Sequence, residues 1–85
     1  MTAPTRKKRP APKKVEPIYK SIGEVTCFVR NRRGMTQEEL GRLLGMSRTS
    51  VVNFEAGNQR FPLHRIPELA WALGTSPRRL LAELL

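Results

Sequence analysis

Few side chains in this sequence could take part in bond-breaking chemistry. It has one histidine, His64, one cysteine, Cys27, and seven acidic residues, all of them glutamates. A Ser-His-Asp set needs all three partners, and a metal centre needs several His, Cys or carboxylate ligands at short spacing. Neither can be assembled from this inventory, so the sequence predicts no enzyme, no cofactor and no metal. His64, beside Pro62 and Arg65 in a loop or first helical turn, reads as a solvated or capping side chain. Cys27 has no partner for an internal disulfide, agrees with a reducing compartment and reads as a small apolar helix residue. What the chain has in excess is positive charge: sixteen Lys and Arg against seven acids, a formal +9 over 85 residues. Such a balance points to a polyanion, nucleic acid in preference to an anionic membrane surface. The sequence contains no run of about 18 apolar residues and no apolar signal-peptide core, so a soluble, cytoplasmic, nucleoid-associated protein without a membrane partner is expected.

That charge is uneven. Residues 1–20 carry Pro4, Pro10, Pro12 and Pro17 together with seven basic residues and one acid, Glu16, a local +6 that leaves only +3 for the rest. Such a segment cannot bury enough apolar surface to offset its ordering entropy, and its prolines favour extended conformers. Residues 1–17 are therefore expected to be a disordered basic arm, able to follow phosphates or enter a minor groove.

Residues 18–85 read as one small helical domain, too small to enclose a large substrate cavity. Ile18, Ile22, Val25 and Val29 recur at helical spacing and predict a helix over 18–33, stopped by Gly34 after Arg30, Arg32 and Arg33. Thr36 and Glu39 have capping-box spacing and open a second helix over 37–44, with Leu40, Leu43 and Leu44 inward and Gly41 leaving room for a crossing backbone. Gly45 ends it, Ser47 caps a third helix over 48–56 with Val51 and Phe54 inward, and Gly57 closes that one. Only Gly45, Met46 and Ser47 separate the two, a tight turn in which Gly45 is free to take positive φ. A fourth helix is expected over 65–73, with Pro67 in its first turn, Leu69, Ala70 and Leu73 inside and Gly74 as the stop. The fifth, over 77–84, is capped by Ser76 and carries Leu80, Leu81, Leu84 and Leu85 as its apolar residues.

The stretches RNRRGMTQEELGRLLGMSRTSVVNFEAG and PELAWALGTSPRRLL, with Leu40, Gly41, Leu44, Gly45, Val51 and Phe54 in register behind TQEEL, resemble the phage repressor and Cro (XRE) family over residues 20–85. The resemblance implies an all-α, compact five-helix lambda-repressor-like helix-turn-helix domain preceded by the basic tail. It also implies that the third helix enters a DNA major groove, where its first turn needs short polar or basic side chains and no carboxylate. SRTSVVN meets that need. By the family's register, Arg48, Thr49 and Asn53 face base edges. Gln37 and Ser47 meet phosphates, Ser50 serves either the helix or a phosphate, and Asn58, Gln59 and Arg60 hold the opposite backbone. Glu55, the exception on this helix, is implied to form a structural pair with Arg30. Two departures stand out: Thr26 occupies a place the family gives to a large aliphatic residue, and Val25, Cys27 and Phe28 make the first helix apolar around much of its circumference. A rearranged core against the fifth helix and an extra contact surface are the two readings of them.

The expected function is that of a sequence-specific double-stranded DNA-binding transcription regulator, a repressor at a pseudo-palindromic operator. The alternative is an antitoxin that binds DNA and sequesters a toxin through the Phe28 surface or the tail. Non-specific compaction of nucleic acid is a third reading, for which the surface of the third helix would be unnecessary. Because the sequence ends straight after the fifth helix, no ligand-sensing domain is expected. A homodimer, at least on DNA, is expected to form through Leu81 and Leu85, which exceed what the core face of the fifth helix needs.

Overall fold

The computed structural model describes residues 15–84; residues 1–14, which make up most of the expected arm, and Leu85 lie outside the described residues. Five helices follow in order among the described residues: α1 Pro17–Arg32, α2 Gln37–Leu44, α3 Arg48–Glu55, α4 Ile66–Ala72 and α5 Pro77–Leu84, with a 3-10 turn, Leu63–Arg65, leading into α4. Strands are absent among the described residues.

Helix α1 begins one residue earlier than predicted. Pro17 presets a helical φ at a position whose N–H would have no helical partner, and the Tyr19 N–H bonds to the Glu16 carbonyl at 2.9 Å. Glu16 and Pro17, assigned by the sequence to the arm, therefore belong to the helical unit. The buried face of α1 also differs from the expected one: it consists of Ile22, Gly23, Thr26 and Arg30, while Ile18 is 41% exposed and Val25 and Val29 are only half-buried. The cause is a close crossing. The Gly23 α-carbon lies directly against the carbonyl oxygens of Phe54 and Glu55 at the end of α3, so the helix is turned to present its smallest residue there. Thr26 can be fully buried because its hydroxyl donates to the Ile22 carbonyl at 2.7 Å. Phe28 stays outside, its ring 5.4 Å from the Arg32 guanidinium carbon.

Both halves of the α2 capping box are made: the Glu39 N–H bonds to the Thr36 hydroxyl at 3.0 Å and the Thr36 N–H to the Glu39 carboxylate at 2.8 Å. Leu40, Gly41 and Leu44 are buried, but Leu43 is 46% exposed, against expectation. Helical geometry puts Gly41 and Leu44 to one side of Leu40 and Leu43 to the other, and α3 packs on the first side.

The core is closed by a residue that no periodicity points to, Phe61, which comes from the loop after α3 and packs against Phe54 with ring centroids 5.0 Å apart and planes tilted by 45°. Ile66, Leu69, Ala70 and Leu73 of α4 and its flank, and Leu80 of α5, complete it. Ser76 caps α5 by accepting from the Arg79 N–H at 3.1 Å, and Arg33 ties the end of α1 to the turn before α5 through the Gly74 carbonyl at 2.9 Å. None of the described helices is long and apolar enough to cross a membrane.

Candidate nucleic-acid interface

Local chemistry fixes the angle at which α3 leaves the molecule. Gly45 takes φ of 66°, a left-handed conformation that a side chain would strain, and the Met46 N–H bonds back to the Gly41 carbonyl at 2.8 Å. Ser47 then caps α3 by accepting from the Ser50 N–H at 3.0 Å, and the two hydroxyls lie 3.1 Å apart. Gly41 lets the turn fold flat against α2: a Cβ there would stand 2.7 Å from the Met46 carbonyl oxygen.

Held this way, α3 has two distinct faces. Val51, Phe54 and Glu55 are buried, while Arg48 and Thr49 are exposed and Ser50, Val52 and Asn53 are half-exposed. The outward face carries no carboxylate, because the single acid of this helix is turned inward. Glu55 receives both arms of the Arg30 guanidinium, Nε at 2.7 Å and Nη2 at 3.0 Å, and the Gln37 amide at 3.1 Å. Arg30 gives its remaining Nη1 to the Met35 carbonyl at 2.7 Å. The two charged side chains are 9% and 4% exposed, so this forked pair ties α1, α2 and α3 together out of solvent. The hydrogen bond to Glu55, ahead of the opposing effect of burial, raises the Arg30 pKa above its ordinary value.

The predicted phosphate contacts are placed unevenly. Gln37, at the start of α2, is half-buried with its side-chain amide on Glu55. Ser47 and Ser50 serve the α3 cap. Asn58, Gln59 and Arg60 follow α3 in one loop, where the Asn58 N–H is anchored to the Asn53 carbonyl at 2.9 Å. Arg60 is not free. Its guanidinium is gripped by both oxygens of Glu16, at 2.6 and 3.1 Å. Lys20, absent from the sequence-based candidates, also joins this region, its aliphatic stem crossing Gly57, where a Cβ would meet Lys20 Cγ at 2.9 Å. The one sequence signal for this contact is Gly57 itself, whose φ of 81° closes α3.

On a separate face, Leu81 is 45% exposed and lines an apolar groove of about 410 Å³ between α1, α4 and α5, with Ile18, Leu63, Pro67 and Leu84 among its walls. Leu85, its expected partner in self-association, lies outside the described residues. Among the described residues, no group of three or more His, Cys, Asp or Glu side chains is placed to hold a metal ion.

A family profile described as "Helix-turn-helix domain" matches residues 29–84. Among solved structures, the chain is similar to the restriction-modification controller protein C.AhdI from Aeromonas hydrophila, with 34% identity, 73% of this chain and 90% of that one covered, and a TM-score of 0.66. An XRE-family like protein from Pseudomonas syringae pv. tomato is 27% identical over 79% of this chain and 82% of its own, with a TM-score of 0.68. The clp gene regulator ClgR from Corynebacterium glutamicum is 24% identical, with 81% and 91% covered and a TM-score of 0.73, a likeness of fold. No curated protein matches the sequence.

Proposed function

This chain belongs to the helix-turn-helix domain family, of the XRE type, and on that premise we propose that it is a sequence-specific double-stranded DNA-binding transcription regulator that represses from a pseudo-palindromic operator. One observation carries the proposal: α3 buries its only carboxylate on Arg30 and turns outward a polar, basic first turn of the kind a major groove admits. Arg48 donates to guanine O6 and N7, Thr49 touches a thymine methyl or donates its hydroxyl, and Asn53 pairs with adenine. Gln37, Ser47 and Ser50 stand at the phosphates on one side of the groove; Asn58, Gln59 and Arg60 stand at the other. That a relative is described as a restriction-modification controller protein supports the same reading.

A single recognition helix reads only a few base pairs. Two copies bound to half-sites about 34–36 Å apart are therefore assigned, related by a two-fold axis and meeting through Leu81, Leu85 and the apolar groove beside α5. Seated across a promoter, such a dimer occludes it, hence repression. Selection from random-sequence duplexes tests this: enrichment of an inverted repeat with half-sites one helical turn apart is the expected result, and a pool that stays flat through successive rounds overturns it.

A further inference from the structure

The first 23 residues contain one acid, Glu16, in an otherwise basic stretch, and it is the residue that occupies Arg60. This contact is the outermost of three made by one stripe of α1 and the residue before it. Gly23 lies on the Phe54 carbonyl, the Lys20 stem crosses Gly57, and Glu16 reaches Arg60. Positions 16, 20 and 23 share one helical face, so the packing of α1 on the end of α3 delivers an acid to the loop assigned above to the DNA backbone. Six basic residues and no acid precede it in residues 1–14. An acid placed there neutralises the one basic side chain it holds, Arg60.

We propose that Glu16 is a specificity-determining residue, which masks Arg60 from loosely held, sequence-independent DNA and yields it to a phosphate once α3 is seated. The proposal rests on the reading of the loop as DNA-facing. Sequence-independent attraction grows with the number of phosphates neutralised and counterions released, and an Arg60 already neutralised by Glu16 adds nothing to it. The mask is also easy to remove. The two side chains are 58% and 55% exposed, and an exposed pair is weak. A phosphate offers the same forked acceptor geometry as a carboxylate, and one held in place by the rest of a seated complex has a high effective concentration at Arg60. The hydrogen bond from Arg60 holds the Glu16 carboxyl below the usual carboxylate range, so at neutral pH the mask is charged.

The test compares the full-length chain with Glu16→Gln by fluorescence anisotropy, on random-sequence duplex and on the duplex enriched by selection. Glu16→Gln should bind random duplex about fivefold more tightly, the strength of an exposed ion pair. Its salt dependence there should steepen by about 0.9 log units per log salt, the effect of neutralising one further phosphate. The gain on the selected site should be smaller, so the preference for that site falls. In an Arg60→Ala background the substitution should change nothing. Random-duplex affinity that is unchanged or weaker in Glu16→Gln, or a gain that persists without Arg60, overturns the proposal. Thermal melting of each variant separates these effects from loss of fold, and the salt slope is a readout that a purely structural Glu16 would leave alone. A flat selection experiment would sink the operator reading and with it the specificity role of Glu16, whereas a failure of the random-duplex measurements alone would overturn the masking of Arg60 and leave the operator reading standing.

Discussion

Gly23 and the carbonyl oxygen of Phe54 are in direct contact, with no room for a side chain between them; a Cβ at Gly23 would collide with that oxygen and stand 2.9 Å from the next one, of Glu55. In an exposed helix interior, glycine to alanine gains about 1 kcal/mol. Here the obstacle is backbone at the end of α3, which cannot swing aside as a side chain would. Gly23→Ala should therefore destabilise the domain by about 1–3 kcal/mol, as overpacking does. Urea denaturation reads the sign, and a more stable variant would mean that α1 and α3 do not cross here.

Removing either partner from the Arg30–Glu55 pair strands a charge among buried groups. Arg30→Ala or Glu55→Ala should cost about 3–5 kcal/mol and abolish DNA binding through loss of fold. A cost below about 1 kcal/mol in the same denaturation experiment would place the pair in solvent.

Acid should loosen the start of α2. The Glu39 carboxyl is held below its ordinary pKa, first by the hydrogen bond from the Thr36 backbone N–H and then by the Thr36 side chain. A depressed folded-state pKa contributes stability that is present above the unfolded value of about 4.3 and is lost as pH falls through the folded one. Glutamine can accept the same capping-box hydrogen bond without titrating. The melting temperature of Glu39→Gln should therefore fall less than that of the parent as pH drops below about 4.3, and parallel curves would remove Glu39 from the acid response.

Base reading and phosphate attraction should come apart on mutation. Arg48→Ala or Asn53→Ala should cost about 1–3 kcal/mol on the selected site and relax preference at particular base pairs. Removing residues 1–14 should weaken selected and random duplexes together and flatten the salt dependence by about 0.9 log units per log salt for every phosphate that the arm no longer neutralises. The cut falls there because Glu16 and Pro17 are built into the start of α1. An unchanged salt slope after truncation would show that the arm does not touch DNA.

What could be read from the sequence was whatever is decided locally. The Thr36–Glu39 box, the Gly45 turn, the Ser47 and Ser76 caps and the inward Leu40, Leu44, Val51, Phe54 and Leu80 depend on residues a few positions apart. What was misread depends on which neighbour a helix meets. Ile18 and Leu43 have the right spacing for a core face, but close approach through Gly23 and Gly41 turned other residues inward. Thr26 reads as polar until its hydroxyl is satisfied within its own helix, and Phe61, without helical periodicity, gave no signal of its place on Phe54. In the candidate site, Arg48 and Thr49 are turned outward and Asn53 is half-exposed, positions that the family resemblance named. The grip of Glu16 on Arg60 and the course of Lys20 over Gly57 are long-range contacts that no spacing announces.

The two faces of α3 also bear on how such a protein changes over generations. Packing and the forked pair occupy Val51, Phe54 and Glu55, whereas Arg48 and Thr49 are exposed. On the proposed function, substitutions at the outward positions are therefore nearly neutral for folding and are exposed to selection through the DNA that α3 would read. A duplicated copy of the gene could drift to a new target through one or two codons without passing through an unfolded ancestor.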